Sequence, residues 1–298
     1  MKRLKVGVIG CGVMGGFHIK QYRNIDEVEI IGASDIDKSR APEGIPFFSD
    51  YNDILRIADA VTITTPTSTH FKIAIDALKA GLHVLIEKPI TQTPEEAKHI
   101  IELAKSKKLT LAVGHIERFN PAYMICKKEL CRRSPELIDI KRLSPLPERI
   151  TDASCVIDMM IHDIDLVLNI ASSKVKHVNA IGKKIKTNKL DQATAVLSFE
   201  NGMIANIEAS RVNKDKVRKM IAATARDIYE VDMLNKKVIK RRNGQQKGIE
   251  VSALDQLHYE LKNFIGAISR NRKPEVTGED GLAALEIANK IEELALKS

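Results

Sequence analysis

In the first 120 residues the apolar positions fall into short unbroken runs that alternate with stretches of helical spacing. LKVGVIG (4–10) ends in glycine and suits a strand buried on both faces of a parallel sheet; GCGVMG (10–15) follows it and leads into a helix to about Tyr22. VEIIGASD (28–35) is a second strand, ending in an acid. AVTITTP (60–66), HVLIEKP (83–89) and LTLAVG (109–114) read as three more. Between them, HFKIAIDALKAG (70–81), with Gly81 as its cap, and PEEAKHIIELAKSK (94–107) carry helical spacing. Strands alternating with helices predict an α/β architecture over residues 1–120: a doubly wound parallel sheet of the Rossmann type.

The texture changes beyond residue 120. ATAVLSFENGMIANIEAS (193–210) sets Asn201-Gly202 between two β-rich runs, a strong hairpin signal. β-rich segments recur at 217–224 and 228–232, and VIKRRNGQQKGIEV (238–251) repeats the strand, Asn-Gly, strand pattern. Mostly antiparallel sheet is expected here, hence a second, α+β domain over 121–275. Helices at about 255–270 and 279–296 close the chain, which shows no internal repeat and no low-complexity segment.

Within the second domain, DMMIHDIDL (158–166) places three carboxylates and one histidine in a largely apolar run. At helical spacing Ile157, Ile161, Ile164 and Leu168 share one face, while Asp158, His162, Asp165 and Asn169 stack along another. Met159, Leu166 and Ile170 lie beyond the polar strip, so the strip is narrow and has apolar flanks on both sides. Such a helix belongs in the interior, and its polar strip needs side chains or a ligand as partners. Met159 and Met160 read as core fillers.

Composition narrows the function classes. At 298 residues there is room for two cores, and 44% hydrophobic with 29% charged residues describes a soluble globular chain. No apolar run reaches about 18 residues, and MKRLKVGVIG leads straight into a strand, so a membrane span or a cleaved leader is not expected and the protein reads as cytoplasmic. Cys11, Cys126, Cys131 and Cys155 form no CxxC pair; reduced thiols, with no metal, are expected. Residues 1–120 hold 16 Lys+Arg against 15 Asp+Glu and the remainder 31 against 24, so nearly all of the +8 lies in the second domain. Its basic clusters, CKKELCRR (126–133), GKKIK (182–186), NKDKVRK (213–219) and NKKVIKRR (235–242), lack interleaved aromatics in a chain that is 4% aromatic, which argues against nucleic acid. They read as a solvated face, with attraction of an anionic small substrate as the alternative.

Candidate chemistry begins at the glycine loop. Gly10, Gly12 and Gly15 sit between a strand and a helix, with Cys11, Val13 and Met14 completing the turn, and Asp35 ends the next strand. In that context Gly10 permits the tight turn, Gly12 lets a pyrophosphate approach the backbone, and Gly15 permits close helix–sheet packing. Asp35 would accept hydrogen bonds from the adenosine ribose and repel a 2′-phosphate, favouring NAD over NADP. EKP (87–89) lies at the carboxyl end of a strand, where ligands sit in such sheets, and Lys88 precedes a proline that holds its backbone extended. Taken singly, Lys88 reads as solvated and His162 as a structural histidine. Taken together with Asp158 they suit alcohol oxidation, in which His162 takes the hydroxyl proton, Lys88 orients the oxygen, and Asp158 positions substrate or stabilises the imidazolium.

The ordered set GCGVMG, Asp35, TPTSTH (65–70), EKP, GHIERFNPA (114–122), Asp158 with His162, and KPEVTGEDGLAALEIA (273–288) resembles the glucose–fructose oxidoreductase / inositol dehydrogenase / rhizopine-catabolism (Gfo/Idh/MocA) family over essentially the whole chain. The resemblance implies a Rossmann domain and a second domain with an open sheet that mediates homodimers or homotetramers. It implies NAD(P)-dependent chemistry on sugars or cyclitols without metal. Lys88 and His162 would be the catalytic pair and Asp158 would bind substrate. Thr65, Pro66, His70 and Glu87 would line the cofactor, with Arg118 near its nicotinamide end. The closing helix, 276–298, would pack back on the first domain.

Two departures bear on substrate. Where many members carry Gly-Gly before the catalytic Asp and a glycine two residues before the His, this chain reads SCVID (154–158) and Met160. ERFNPA with DMMIHDID is similar instead to the UDP-N-acetylglucosamine 3-dehydrogenase branch, which implies oxidation of the 3-hydroxyl of a UDP-N-acetylhexosamine. A diphosphate-bearing substrate agrees with the basic second domain. The alternatives are a dehydrogenase or reductase of a free sugar or cyclitol, and a non-enzymatic NAD-responsive binding protein.

Overall fold

In the computed structural model, which describes residues 3–130, 135–146 and 153–298, the chain divides into two units: Met1–Ile116 with Asp255–Leu282, and Glu117–Leu254 with Ala283–Ser298. In the first unit six parallel strands form one sheet: β1 (Leu4–Ile9), β2 (Val28–Ser34), β3 (Phe47–Phe48), β4 (Ala60–Ile63), β5 (His83–Glu87) and β6 (Leu111–Gly114). Helices α1 (Val13–Tyr22), α2 (Asn52–Leu55), α3 (Thr67–Lys79) and α4 (Pro94–Ser106) connect them. β4 and β6 are buried along their whole length and β5 at all but its first residue, which is why their sequences lack polar alternation. α4 starts where the sequence directs it, with a Thr93–Glu96 capping box and Pro94 in the first turn. The strand order β3-β2-β1-β4-β5-β6 reverses direction between β1 and β4. The carboxyl ends of those two strands carry the glycine loop and Thr64–Pro66, at the switch point where doubly wound sheets bind ligands.

The second unit opens with α5 (Pro121–Leu130) and β7 (Leu137–Leu143); a π-helical turn, Val156–Met160, runs into α6 (Ile161–Ala171). Then follow β8 (Val175–Lys183), β9 (Gln192–Phe199), β10 (Ile204–Ser210), β11 (Val217–Ala223), β12 (Ile228–Asp232), β13 (Lys237–Arg242) and β14 (Gln245–Ile249). The sheet order is β14-β13-β12-β11-β7-β10-β9-β8. Every neighbouring pair is antiparallel except β7 with β10. Both Asn-Gly hairpins form as expected. Gly202 has φ +90°, and Asn243 and Gly244 have φ +49° and +76°, the left-handed pair that a two-residue hairpin turn demands. One face of the sheet packs against α5, the π turn and α6 through side chains such as Ile138, Ile140, Ala195, Leu197 and Ile207. On the opposite face Leu137, Val196, Ile204, Ile221 and Ile228 stay 42–45% exposed.

The sequence reading passed over α5, β7 and β8. β7 is a central strand whose buried face holds Arg142, so its LIDIKRL pattern does not look like a core strand. The cluster 235–242 belongs to the sheet. Arg242 pairs with Asp227, Arg241 with Glu230, and Lys240 reaches both Glu129 and Asp227, so part of the basic excess is neutralised locally. Cys131, Arg132 and Arg133 lie outside the described residues.

The last two helices depart from the expectation for 276–298. α7 (Gln256–Ser269) gives Leu257, Leu261, Phe264 and Ile265 to the first unit's core, beside Ile19 and Tyr22 of α1. Segment 276–282 hooks onto the edge of the first sheet, where Thr277 bridges Ala112 and a Cβ at Gly281 would meet Val113 at 2.7 Å. α8 (Gly278–Lys297) then turns Ala284, Ala288, Ile291 and Ala295, at helical spacing, into the second unit's core. The penultimate helix is therefore the one committed to the Rossmann unit. Among the described residues no helix is long and apolar enough to cross a membrane.

Candidate active site

Steric contact dictates two of the three loop glycines. Gly10 has φ +97° and a Cβ there would lie 2.8 Å from the Thr64 carbonyl; at Gly15 a Cβ would lie 1.9 Å from the Gly10 oxygen. Gly12 is different. The nearest atom to a Cβ there is Arg40 Nη1 at 3.8 Å, so the space above the loop is open. α1 begins at Val13 with no side-chain cap and no acid in its first turn, which leaves its positive end and unpaired N–H groups to an anion. Val13 is exposed and Met14 half-buried. The Cys11 N–H donates to Asp35 Oδ2 at 2.7 Å and the Asp37 N–H to Oδ1 at 2.9 Å. Asp35 thus clamps the end of β2 to the loop while each oxygen keeps a lone pair for another donor. The Arg40 guanidinium stands 3.7 Å from Asp35 Oδ2. Burial and the Asp35 charge push the Cys11 thiol up to about 11, so it is a poor nucleophile.

At the ends of β4 and β5 the polar groups mostly serve the backbone. Thr64 Oγ1 donates to the Gly10 carbonyl at 2.6 Å. Thr65 is half-buried and Pro66 exposed. His70 is buried, with Nδ1 3.0 Å from the Pro89 oxygen and Nε2 2.9 Å from the Thr65 oxygen. Burial lowers its pKa against the pull of those carbonyls, so the neutral ring donates to one of them at a time and staples the two loops. Glu87 is also buried; Oε1 lies 2.9 Å from His18 Nε2, and Oε2 accepts the Lys88 N–H at 3.2 Å. Lys88 itself is half-buried, one residue past β5, and its bond to Pro89 is cis.

In the second unit Asp158 lies inside the π-helical turn and His162 is the second residue of α6, both half-buried. The turn is closed by the Ile161 N–H donating to the Val156 oxygen five residues back. This wider turn replaces the regular α-helix expected through Asp158 and alters its angular offset from His162. Carboxylates further along α6 pair with guanidinium groups. Arg142 of β7 grips Asp163 with Nε and Nη2 at 2.9 and 2.7 Å and gives Nη1 to Glu117 at 2.9 Å. Arg218 adds a second cation to Glu117 at 3.0 Å. Arg118 grips Asp165 with Nε and Nη2 at 2.6 and 2.7 Å. Tyr123 donates its hydroxyl to Asn169 at 2.7 Å. Burial raises the Asp163 carboxyl against the pull of Arg142. For Glu117 burial acts the same way, but Arg142 and Arg218 outweigh it and hold the group below its ordinary value. Three guanidinium groups face three carboxylates, so the charge closes.

A family model described as an oxidoreductase family with an NAD-binding Rossmann fold matches residues 4–115, and one for the GFO/IDH/MocA C-terminal domain matches 137–228. The chain belongs to the Gfo/Idh/MocA oxidoreductase family. UDP-N-acetylglucosamine 3-dehydrogenase of Acidithiobacillus ferrooxidans is 34% identical over 97% of this chain and 96% of its own length. A solved structure of that enzyme superposes with a TM-score of 0.94, covering 99% of this chain and 98% of the other. Myo-inositol 2-dehydrogenase of Thermotoga maritima is 26% identical over 95% of this chain and 93% of its own. Scyllo-inositol dehydrogenase of Lactobacillus casei, solved with bound NAD(H) and scyllo-inositol, shares the fold at 21% identity and a TM-score of 0.86, covering 99% and 98% of the two chains.

In this Gfo/Idh/MocA chain three residues expected to line the cofactor also have partners within the protein. His70 and Glu87 turn their polar atoms inward to brace the β4 and β5 loops, and Arg118 spends its guanidinium fork on Asp165. Buried polar groups must be paired, and here the pairing is within each unit. The glycines, Asp35, Thr65, Pro66 and Lys88 remain at the carboxyl edge of the Rossmann sheet. Sequence reasoning missed Arg142, Asp163, Glu117, His18 and Glu260. The Arg142–Asp163 and His18–Glu87 pairs are 21 and 69 positions apart, and no local pattern announces them.

Arg142→Met should cost about 3–5 kcal/mol of unfolding free energy, because it strips the buried Asp163 of its guanidinium and leaves Glu117 only the half-exposed Arg218 as a cation. Urea denaturation measures it; a loss under about 1 kcal/mol would mean that the cluster does not hold α6.

Proposed function

We propose that the protein oxidises a secondary hydroxyl of a sugar with NAD, and that the substrate is the 3-hydroxyl of a UDP-N-acetylhexosamine. The observation that carries this reading is the 34% identity, over nearly the whole of both chains, to the Acidithiobacillus UDP-N-acetylglucosamine 3-dehydrogenase. SCVID and Met160, standing where glycines are common in inositol and glucose dehydrogenases, support it. The second reading, a free sugar or cyclitol dehydrogenase, has the Thermotoga inositol enzyme in its favour.

The glycine loop suits a dinucleotide: open space at Gly12, an uncapped helix end for the pyrophosphate, and Asp35 with lone pairs for ribose hydroxyls. When bound, NAD supplies the hydride acceptor. His162 takes the hydroxyl proton. Lys88 donates a hydrogen bond to the same oxygen and stabilises the negative charge developing on it. Asp158, in the turn before His162, holds a substrate hydroxyl or the imidazolium. The reaction is placed in the cytoplasm. Self-association through the open face of the eight-stranded sheet completes the reading, since that face carries Leu137, Val196, Ile204, Ile221 and Ile228 in neighbouring strands.

Reduced nicotinamide should appear when the protein is mixed with NAD and UDP-N-acetylglucosamine, and more slowly or not at all with UDP-glucose, glucose or myo-inositol; myo-inositol as the best substrate would hand the case to the second reading. His162→Ala and Lys88→Ala should each lower turnover by roughly 10²-fold or more while NAD still binds. Near-normal turnover in both would refute their roles. Asp35→Ser should shift preference towards NADP by roughly tenfold, the ratio given by about 1.4 kcal/mol, with Arg40 receiving the 2′-phosphate; wild-type protein that already prefers NADP would overturn the assignment. Light scattering should find a dimer or tetramer that Ile221→Lys weakens, whereas a monomer at micromolar concentration would exclude this face as an interface.

A further inference from the structure

In the Rossmann unit a cluster of buried titratable groups lies outside the proposed reaction. His18 on α1, Glu87 at the end of β5 and Glu260 on α7 are all buried, and ligand-type atoms of the three lie within 4.8 Å of one another. Glu87 has what an ionised carboxylate needs: His18 Nε2 on Oε1 and the Lys88 N–H on Oε2. Gly114 makes room for it, since a Cβ there would stand 3.1 Å from the carboxylate carbon. Glu260 is 3% exposed, and neither of its oxygens has a hydrogen-bond partner among the described residues. Two anions this close in a buried setting, with one imidazole beside them, would leave a carboxylate without a donor among the described residues.

We propose that Glu260 carries a proton in the folded protein, and that with His18 it keeps Glu87 ionised as a fixed negative charge gripping the backbone of Lys88. The proton goes to Glu260 because Glu87 already holds both donors. Burial and the Glu87 charge push the Glu260 carboxyl well above its ordinary value. Burial also acts upwards on Glu87, but the His18 contact and the Lys88 charge outweigh it and hold that group below its ordinary value. The groups set against Glu260 are Glu87 from β5 and Tyr22 from α1; those set against Glu87 are His18 from α1 and Lys88, and the Glu87 charge is also felt by His70. Glu260 and His18 are positioning residues, and their purpose rests on the role given to Lys88 above.

A group whose folded pKa is raised contributes stability that is fully present below its unfolded value, and loses it as pH rises from about 4.5 through the folded pKa. Urea unfolding of the full chain at pH 5 to 8 should therefore show the wild type losing up to about tenfold in its folded-to-unfolded ratio per pH unit relative to Glu260→Gln, which is about 1.4 kcal/mol. Parallel curves would overturn the proposal. If the variant does not fold, the infrared spectrum of wild-type protein at neutral pH should still show a protonated-carboxyl band; only ionised carboxylate bands would sink it. One equivalent of metal in the purified protein, lost on Glu260→Gln, would also overturn it by placing a cation where the proton is assigned. For the link to Lys88, Glu87→Gln should move the alkaline limb of the kcat/KM profile to lower pH, whereas a merely structural loss lowers activity without moving the limb and would break that link. Lys88→Ala with normal turnover would refute the proposed reaction and leave the unfolding result standing.

Discussion

Charge removed from water must be met by opposite charge or surrendered as a proton, and much of this protein is arranged around that constraint. In the second unit, Asp163 and Asp165 follow His162 on α6 in an apolar setting, and they are tolerable there because Arg142 and Arg118 meet them with paired N–H groups. The same contacts tie α6 to β7 and to the turn at Ile116–Phe119. Such clusters add little stability compared with apolar packing. What they add is uniqueness of placement, since a rotated or shifted α6 would strand charge in the interior.

The Rossmann unit obeys a different limit at its ligand edge, where shape dominates. Gly10 and Gly15 are required because the chain passes within van der Waals contact of itself, whereas Gly12 has no close neighbour. A position kept small without an internal reason points to something external, and here it faces an uncapped helix end. Asp35 serves both sides of that boundary, holding two backbone N–H groups while keeping lone pairs to offer.

Much of the fold was legible because its signals are local. Buried parallel strands write themselves as apolar runs, Asn201-Gly202 and Asn243-Gly244 name their own turns, and Thr93-Pro94 with Glu96 names a helix start. β7 was not legible: its inward face includes Arg142, and a charged core position cannot be told from an exposed one without its partner. The allocation of the last two helices was hidden for a related reason, since Leu261 and Ala288 each mark an apolar face without saying which core it meets.

At the site the division is similar. Residue type and spacing pick out the glycine loop and Asp35, because dinucleotide geometry fixes which atoms must be offered and at what chain interval; Lys88, Asp158 and His162, far apart in the chain, stand out only as a combination and through the family resemblance. Only the tertiary structure decided that His70, Glu87 and Arg118 take partners inside the protein, that a π turn carries Asp158, and that Glu260 sits beside Glu87 with no hydrogen-bond partner among the described residues. Those outcomes depend on which charges meet across distant stretches of chain and how much water is excluded around them, and desolvation is a property of a folded neighbourhood that no single segment carries.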